Sequence, residues 1–441
     1  MFKSDLIVLF FAFSLCSRHF VAATNSSTVA PVDITDNVLE PIVHKRTPRS
    51  WYPRLAPSQH LLFSNHQNQP YVAHVSVAGQ LVPLAVKTSA QITWVALSAF
   101  TCLDRNNHPQ LQTACRLKCL FEPTELQTFL SKRKKSERYY FDDQFIEGKS
   151  VPTELHLRGW DEKIPFFKFT PEIVLAEKGF WKGDGLSNGV LGLAVPSLPD
   201  PSSVIHTIFE EKPFDKYLVF SLALFRYNPK TPNLAGVLAF GGIPDIPTDK
   251  PWIAQHILHR PGSKAPCIEV DDFRIIPSGL DPETRSFVNP NGPWVMAIIS
   301  GTPKITVPAV ILKELLLQFY PVAKYDAKNN LYYVYCDAKS PSFGISMKGR
   351  SFYVFKENLL TPAPEYGEGM CTLQLQSASD DKLVLGDPWL RSVVTVFDYN
   401  RAGRGQMGED GKIRIAGQLP SGADEPKGPT EDRKLRSRQT M

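Results

Sequence analysis

The feature that most constrains this chain is that its two halves repeat one plan. An apolar strand ending at Trp94-Val95 is followed downstream by Gly189-Val190-Leu191-Gly192-Leu193. In the second half, Trp294-Val295-Met296-Ala297-Ile298-Ile299 runs into Ser300-Gly301-Thr302, and Leu383-Val384-Leu385-Gly386-Asp387 comes later. A strand and turn followed by two apolar residues and a glycine, used twice, predicts two lobes of common design facing each other. The length agrees, since 441 residues exceed the size at which a single core stops growing. A 43% hydrophobic and 21% charged composition leaves enough apolar surface to fold both lobes.

Between residues 71 and 417 the texture is short apolar runs, many alternating, separated by Gly, Pro, Asn and Asp, which predicts numerous strands. Stretches 71–77, 218–225 and 393–397 are examples. Helices are expected to be few, one over 203–211 from a Ser203 cap and one over 308–316 starting at Pro308.

The N-terminus reads as a secretory signal, with Lys3, an apolar run from Leu6 to Cys16, and small residues at Val21-Ala22-Ala23. That run is too short for a membrane span, and no later stretch is long enough. Secretion to the extracellular space makes disulfides the default for the cysteines that remain after the signal is removed, namely Cys102, Cys115, Cys119, Cys267, Cys336 and Cys371. The sequon at Asn25 is a glycosylation site on a tail, which makes the chain a glycoprotein. Lys45-Arg46 is a candidate processing site, but a solvated tail is the better reading.

Expected divisions are a signal peptide over 1–23, a tail or pro-segment over 24–69, lobes over 70–226 and 227–417, and a disordered tail over 418–441. The net charge of +5, spread over the chain, excludes a nucleic-acid partner. The basic run 132–138 reads as a solvated insertion. No metal site is expected, because the histidines lack partner acids at ligand spacing, and no cofactor motif is present.

The repeat, with three further segments, resembles the pepsin family of aspartic proteases (peptidase family A1) over roughly residues 71–417. Asp184-Gly185-Leu186-Ser187-Asn188-Gly189-Val190-Leu191-Gly192-Leu193 is similar to its first-lobe segment. Leu238-Ala239-Phe240-Gly241-Gly242 is similar to its lobe-crossing strand and turn, and Leu385-Gly386-Asp387-Pro388-Trp389-Leu390-Arg391 to its C-terminal signature. The resemblance implies a mainly β, bilobal fold with two β-barrel-like lobes, few short helices and a cleft between them. It also implies a Cys336–Cys371 disulfide. That pairing would leave Cys267 to join the lobes through Cys102, Cys115 or Cys119.

Each lobe of that family contributes an Asp-Thr/Ser-Gly turn to the cleft, and here both aspartates are replaced. Counting back seven positions from Trp94 lands on Lys87, followed by Thr88 and Ser89. In the second lobe Ser300-Gly301-Thr302 matches the turn, and the aspartate position falls on Ile299. A slipped register does not restore them, since no Asp lies between Asp36 and Asp104 or between Asp281 and Asp326. Such proteases need two carboxylates sharing a proton, whereas Ile299 has no proton to exchange and a charged Lys87 only donates.

The sequence therefore predicts an inactive homologue, not an enzyme. It would be a pseudo-protease, monomeric and without catalytic residues, binding an extracellular protein or glycan. The alternative is an aspartic-type endopeptidase, as the fold alone suggests. Thr88, Trp94, Tyr140, Ser300, Gly301 and Thr302 are the expected cleft and turn residues. Ser89 in place of glycine is expected to reshape the first turn. Tyr140-Phe141-Asp142-Asp143-Gln144 stands where the family has a mobile flap but lacks its glycines. Packing of Tyr139 and Tyr140 on the lobe is an equal reading.

Overall fold

The structure is a computed structural model that describes residues 56, 58–64, 71–123, 135–141, 143–157, 167–194, 203–211, 218–226, 228, 231, 233–260, 264–279, 292–378, 382–400 and 407–419. The signal, Asn25, Lys45-Arg46, residues 132–134 of the basic run and the C-terminal tail beyond 419 lie outside these residues. Among the described residues no helix is long and apolar enough to cross a membrane. No group of His, Cys, Asp and Glu is placed to hold a metal ion.

The chain is mostly strand. Most first-half strands, from Ser58–Phe63 to Gly189–Gly192, join one large sheet that continues through Val219–Leu224 and Leu234–Phe240 to the C-terminal strands Val393–Asn400 and Met407–Gly417. The second half builds three smaller sheets of five, three and four strands among the described residues. One end of the large sheet therefore mixes strands from both halves of the chain, giving the two lobes a shared backbone.

The repeat seen in the sequence is a repeat of topology. Gly189–Gly192 pairs in parallel with Gln80–Lys87, putting Gly192 opposite Lys87, and antiparallel with Trp94–Cys102. Val384–Leu385 pairs in parallel with Trp294–Ile298, putting Leu385 opposite Ile298, and antiparallel with Ile305–Val307. Continuous apolar runs with no polar alternation suit strands covered on both faces, and the Gly189–Gly192 strand is buried throughout. Gly386 is required by close approach: a Cβ there would lie 2.2 Å from the Lys304 carbonyl oxygen and 2.5 Å from that of Thr302.

Both expected helices form. Val204–Glu210 is capped by the Ser203 side chain, which accepts from the His206 amide, and Ala309–Leu316 follows Pro308. One boundary differs from expectation. Ser58–Phe63, read as tail, is a strand between Leu234–Phe240 and Val72–Val77. Its buried positions are His60 and Leu62, with buried Ser64 just after it, and polar residues at two of these three alternating positions hide the period-2 signal.

Cys336–Cys371 forms as expected, and Cys102 pairs with Cys115 inside the first half. Cys119 is disulfide-bonded as well. The expected bridge from Cys267 to the first lobe is wrong, because Cys267 is a buried free thiol. It starts the strand Cys267–Val270, packs against Ala265 and Ala297, and donates to the Ala265 carbonyl. Burial pushes its thiol pKa up, so it is a poor nucleophile. Alkylation of the native, unreduced protein is expected to leave Cys267 unlabelled. Denaturation without reductant should label it, and a Cys267 peptide found in a disulfide would contradict this assignment.

Candidate functional site

The two turns lock together through hydroxyl groups. The Thr88 amide donates to Ser300 Oγ at 3.0 Å, and the Ser300 amide donates to Thr88 Oγ1 at 3.0 Å. Each hydroxyl then donates onward, Thr88 Oγ1 to the Ile298 carbonyl and Ser300 Oγ to the Val86 carbonyl, both at 2.9 Å. Both side chains are fully buried. Each residue thus serves as donor and acceptor to the opposite lobe with no polar group left over, which makes this two-fold interlock rigid.

Lys87 and Ile299 precede the interlocked residues, one on each side. The Lys87 Nζ reaches across to donate to the Gly301 carbonyl at 3.0 Å. The Ile299 amide donates to the Leu385 carbonyl, and its side chain packs beside Ala265, Cys267 and Ala297. Gly301 has φ +74°, and a Cβ there would meet Lys87 Nζ at 3.0 Å, so any larger residue would displace the lysine. Ser89 is not among the residues with positive φ. The first turn therefore takes a different backbone at its third position while keeping its hydroxyl interlock. Thr302 contributes its carbonyl, which accepts from the Asp387 amide at 2.9 Å.

Asp387 is the carboxyl that the fold brings to the turns. Its Oδ1 accepts from the Gly301 amide at 2.8 Å, so a carboxyl group sits directly on the second turn. It is 2% exposed. Burial pushes its pKa up to about 6, against the pull of Arg391, the Gly301 N–H and Lys87. No aspartate is near either turn in the sequence, and Asp387 lies 86 residues from Gly301. The sequence signal for it is Leu385-Gly386-Asp387, within the segment similar to the family's C-terminal signature. Lys304, half-buried just beyond the turn, has its pKa pushed down by burial.

Trp94 is fully buried, and Trp181 meets it edge-on at 4.7 Å. Tyr140 lies in a hairpin formed by Glu137–Phe141 and Gln144–Pro152, in which Phe141 pairs with Gln144. This hairpin occupies the chain position of the family's flap. Tyr140 is 70% exposed and so does not pack into the lobe, while Tyr139 is half-buried. Phe141 holds the hairpin down through rings 5.6 Å from Trp181 and 6.4 Å from Trp94. Asp143 at the tip accepts from Arg105 and Lys182, both at 2.6 Å. These exposed pairs contribute little each, so the aromatic contacts anchor the hairpin.

Residues 71–405 match the family model described as eukaryotic aspartyl protease. A protein of Aspergillus fumigatus named "Probable aspartic-type endopeptidase" is 23% identical over 350 residues, covering 75% of this chain and 77% of that protein. These findings overturn the expectation that the chain is not an enzyme. That expectation rested on two residue positions and on carboxylates sought only nearby in sequence, whereas the fold brings Asp387 onto the second turn. The matched span, the duplicated topology and the interlocked turns together make this chain a member of the eukaryotic aspartyl protease family.

Proposed function

We propose that the protein is an aspartic-type endopeptidase that hydrolyses polypeptide chains held between its lobes, with Lys87 and Asp387 standing in for paired aspartates. The observation that carries this reading is that Lys87 Nζ and the Asp387 carboxyl both hydrogen-bond the backbone of one residue, Gly301, the lysine at its carbonyl and the carboxyl at its N–H. Lys87, as a donor, suits the carbonyl oxygen of the scissile bond, where negative charge develops as water adds. Asp387, titrating near 6, changes protonation in the mildly acidic range where such chemistry needs an acid–base group. With one carboxylate instead of two, turnover is expected to be about 10²–10⁴-fold slower than at a two-carboxylate site, the usual contribution of one positioned acid or base. The disulfides fit an oxidising compartment, and with the leader they support secretion into the extracellular space.

The test is incubation of the purified chain with an unfolded protein at pH 3 to 7, with fragments read by mass spectrometry. Fragments are expected from the native chain, and their yield should collapse in Lys87→Ala and Asp387→Asn. If a folded preparation yields no fragments at any pH, or the two variants cleave as well as the native chain, this reading fails.

A further inference from the structure

We propose that Tyr71 is a positioning residue coupling the two charged groups of the site: its hydroxyl holds Arg391 beside Asp387, and its carbonyl holds the strand end that carries Lys87. The inference rests on the reading of Lys87 and Asp387 given above. Arg391 Nε donates to Tyr71 Oη at 2.5 Å, a contact between residues 320 apart in the chain. The Tyr71 carbonyl accepts from the Val86 amide at 2.8 Å. Val86 precedes Lys87, and its own carbonyl accepts from Ser300 Oγ. One residue therefore touches both halves of the site.

The position of Arg391 follows from local geometry. It caps the short helix Asp387–Leu390, and its amide donates to the Asp387 carbonyl at 2.9 Å, so the helix places its side chain one turn from that of Asp387. Tyr71, Arg391 and Asp387 are 2%, 5% and 2% exposed. In such a site a charge acts over little screening, so the direction in which the guanidinium points sets how easily Asp387 ionises. The charged and polar groups facing Asp387 are Arg391 from its own helix, Lys87 from the first turn, the Gly301 N–H from the second, and Tyr71. Among these, Arg391 donates from Nε to Tyr71 Oη, and that hydrogen bond helps fix the direction of the guanidinium.

Tyr71→Phe removes the hydroxyl and leaves the ring and carbonyl in place. In the full chain labelled with ¹³C at aspartate carboxyls, with Asp387→Asn assigning the signal, the Asp387 midpoint is expected to rise by up to about one pH unit as the guanidinium loses its hold. The acidic limb of the cleavage profile should move up with it, with kcat falling more than KM. Arg391→Lys keeps the charge but loses the Nε donor, so it should move the midpoint the same way; it decides the matter if Tyr71→Phe does not fold. A purely structural Tyr71 would lower thermal stability and leave the Asp387 midpoint unmoved, and that result overturns the proposal. If the native chain does not cleave at all, the endopeptidase reading fails separately and the midpoint alone judges this one.

Discussion

Thr88→Val is expected to cost about 2–5 kcal/mol of stability, because it strips two buried backbone groups of their only side-chain partner across the lobes. The Ser300 amide loses its acceptor and the Ile298 carbonyl loses its donor, at a position with no solvent access. Valine matches threonine in shape, so packing is preserved and the loss is polar. Thr88→Ser keeps the hydroxyl and should cost much less. Denaturant unfolding of the three proteins measures the difference. Equal stability of the valine and serine variants would mean that the interlock contributes nothing to holding the lobes together.

The second large effect is a dependence of stability on pH that belongs to Asp387. Its ordinary carboxyl pKa of 3.8 is raised to about 6 by burial. The folded state therefore holds a proton that the unfolded chain has released between these values. The stabilisation is fully present below about pH 4 and is lost as pH rises through 6. Two pH units at ~1.4 kcal/mol each give roughly 3 kcal/mol lost between pH 4 and pH 7. His74 works in the opposite sense. Burial lowers its pKa, so the unfolded chain binds the extra proton and stability falls on acidification. Comparing native protein with Asp387→Asn cancels the histidine contribution. The variant should lack the roughly 3 kcal/mol decline, and parallel pH profiles for the two proteins would remove the claim.

Both effects arise at one place, where two turns and a distant helix converge. The interlock keeps the paired turns rigid, and the buried carboxyl hydrogen-bonded to the second turn has a protonation state set by its neighbours. If the proposed role of Asp387 holds, its protonation governs both stability and turnover under mildly acidic conditions.

The amino-acid sequence by itself determined the lobed β architecture, because duplicated apolar runs with a glycine at the same offset leave few alternatives. Strand spacing, the Ser203 cap and the Pro308 helix start are local properties, legible from neighbours within a few residues. The expectation that Lys87 and Ile299 stand at the aspartate positions was also local, since Thr88, Trp94 and Ser300-Gly301-Thr302 set the frame for counting. Only the tertiary structure shows what surrounds those positions. Asp387 belongs to the site through one hydrogen bond to Gly301, and Tyr71 through contacts with Arg391 and Val86, at separations that no local pattern encodes. Cys267 stays reduced for a similar reason: cysteine count predicts pairing only where chain paths bring sulfurs together, and here the strand Cys267–Val270 buries its thiol among small apolar residues of its own lobe.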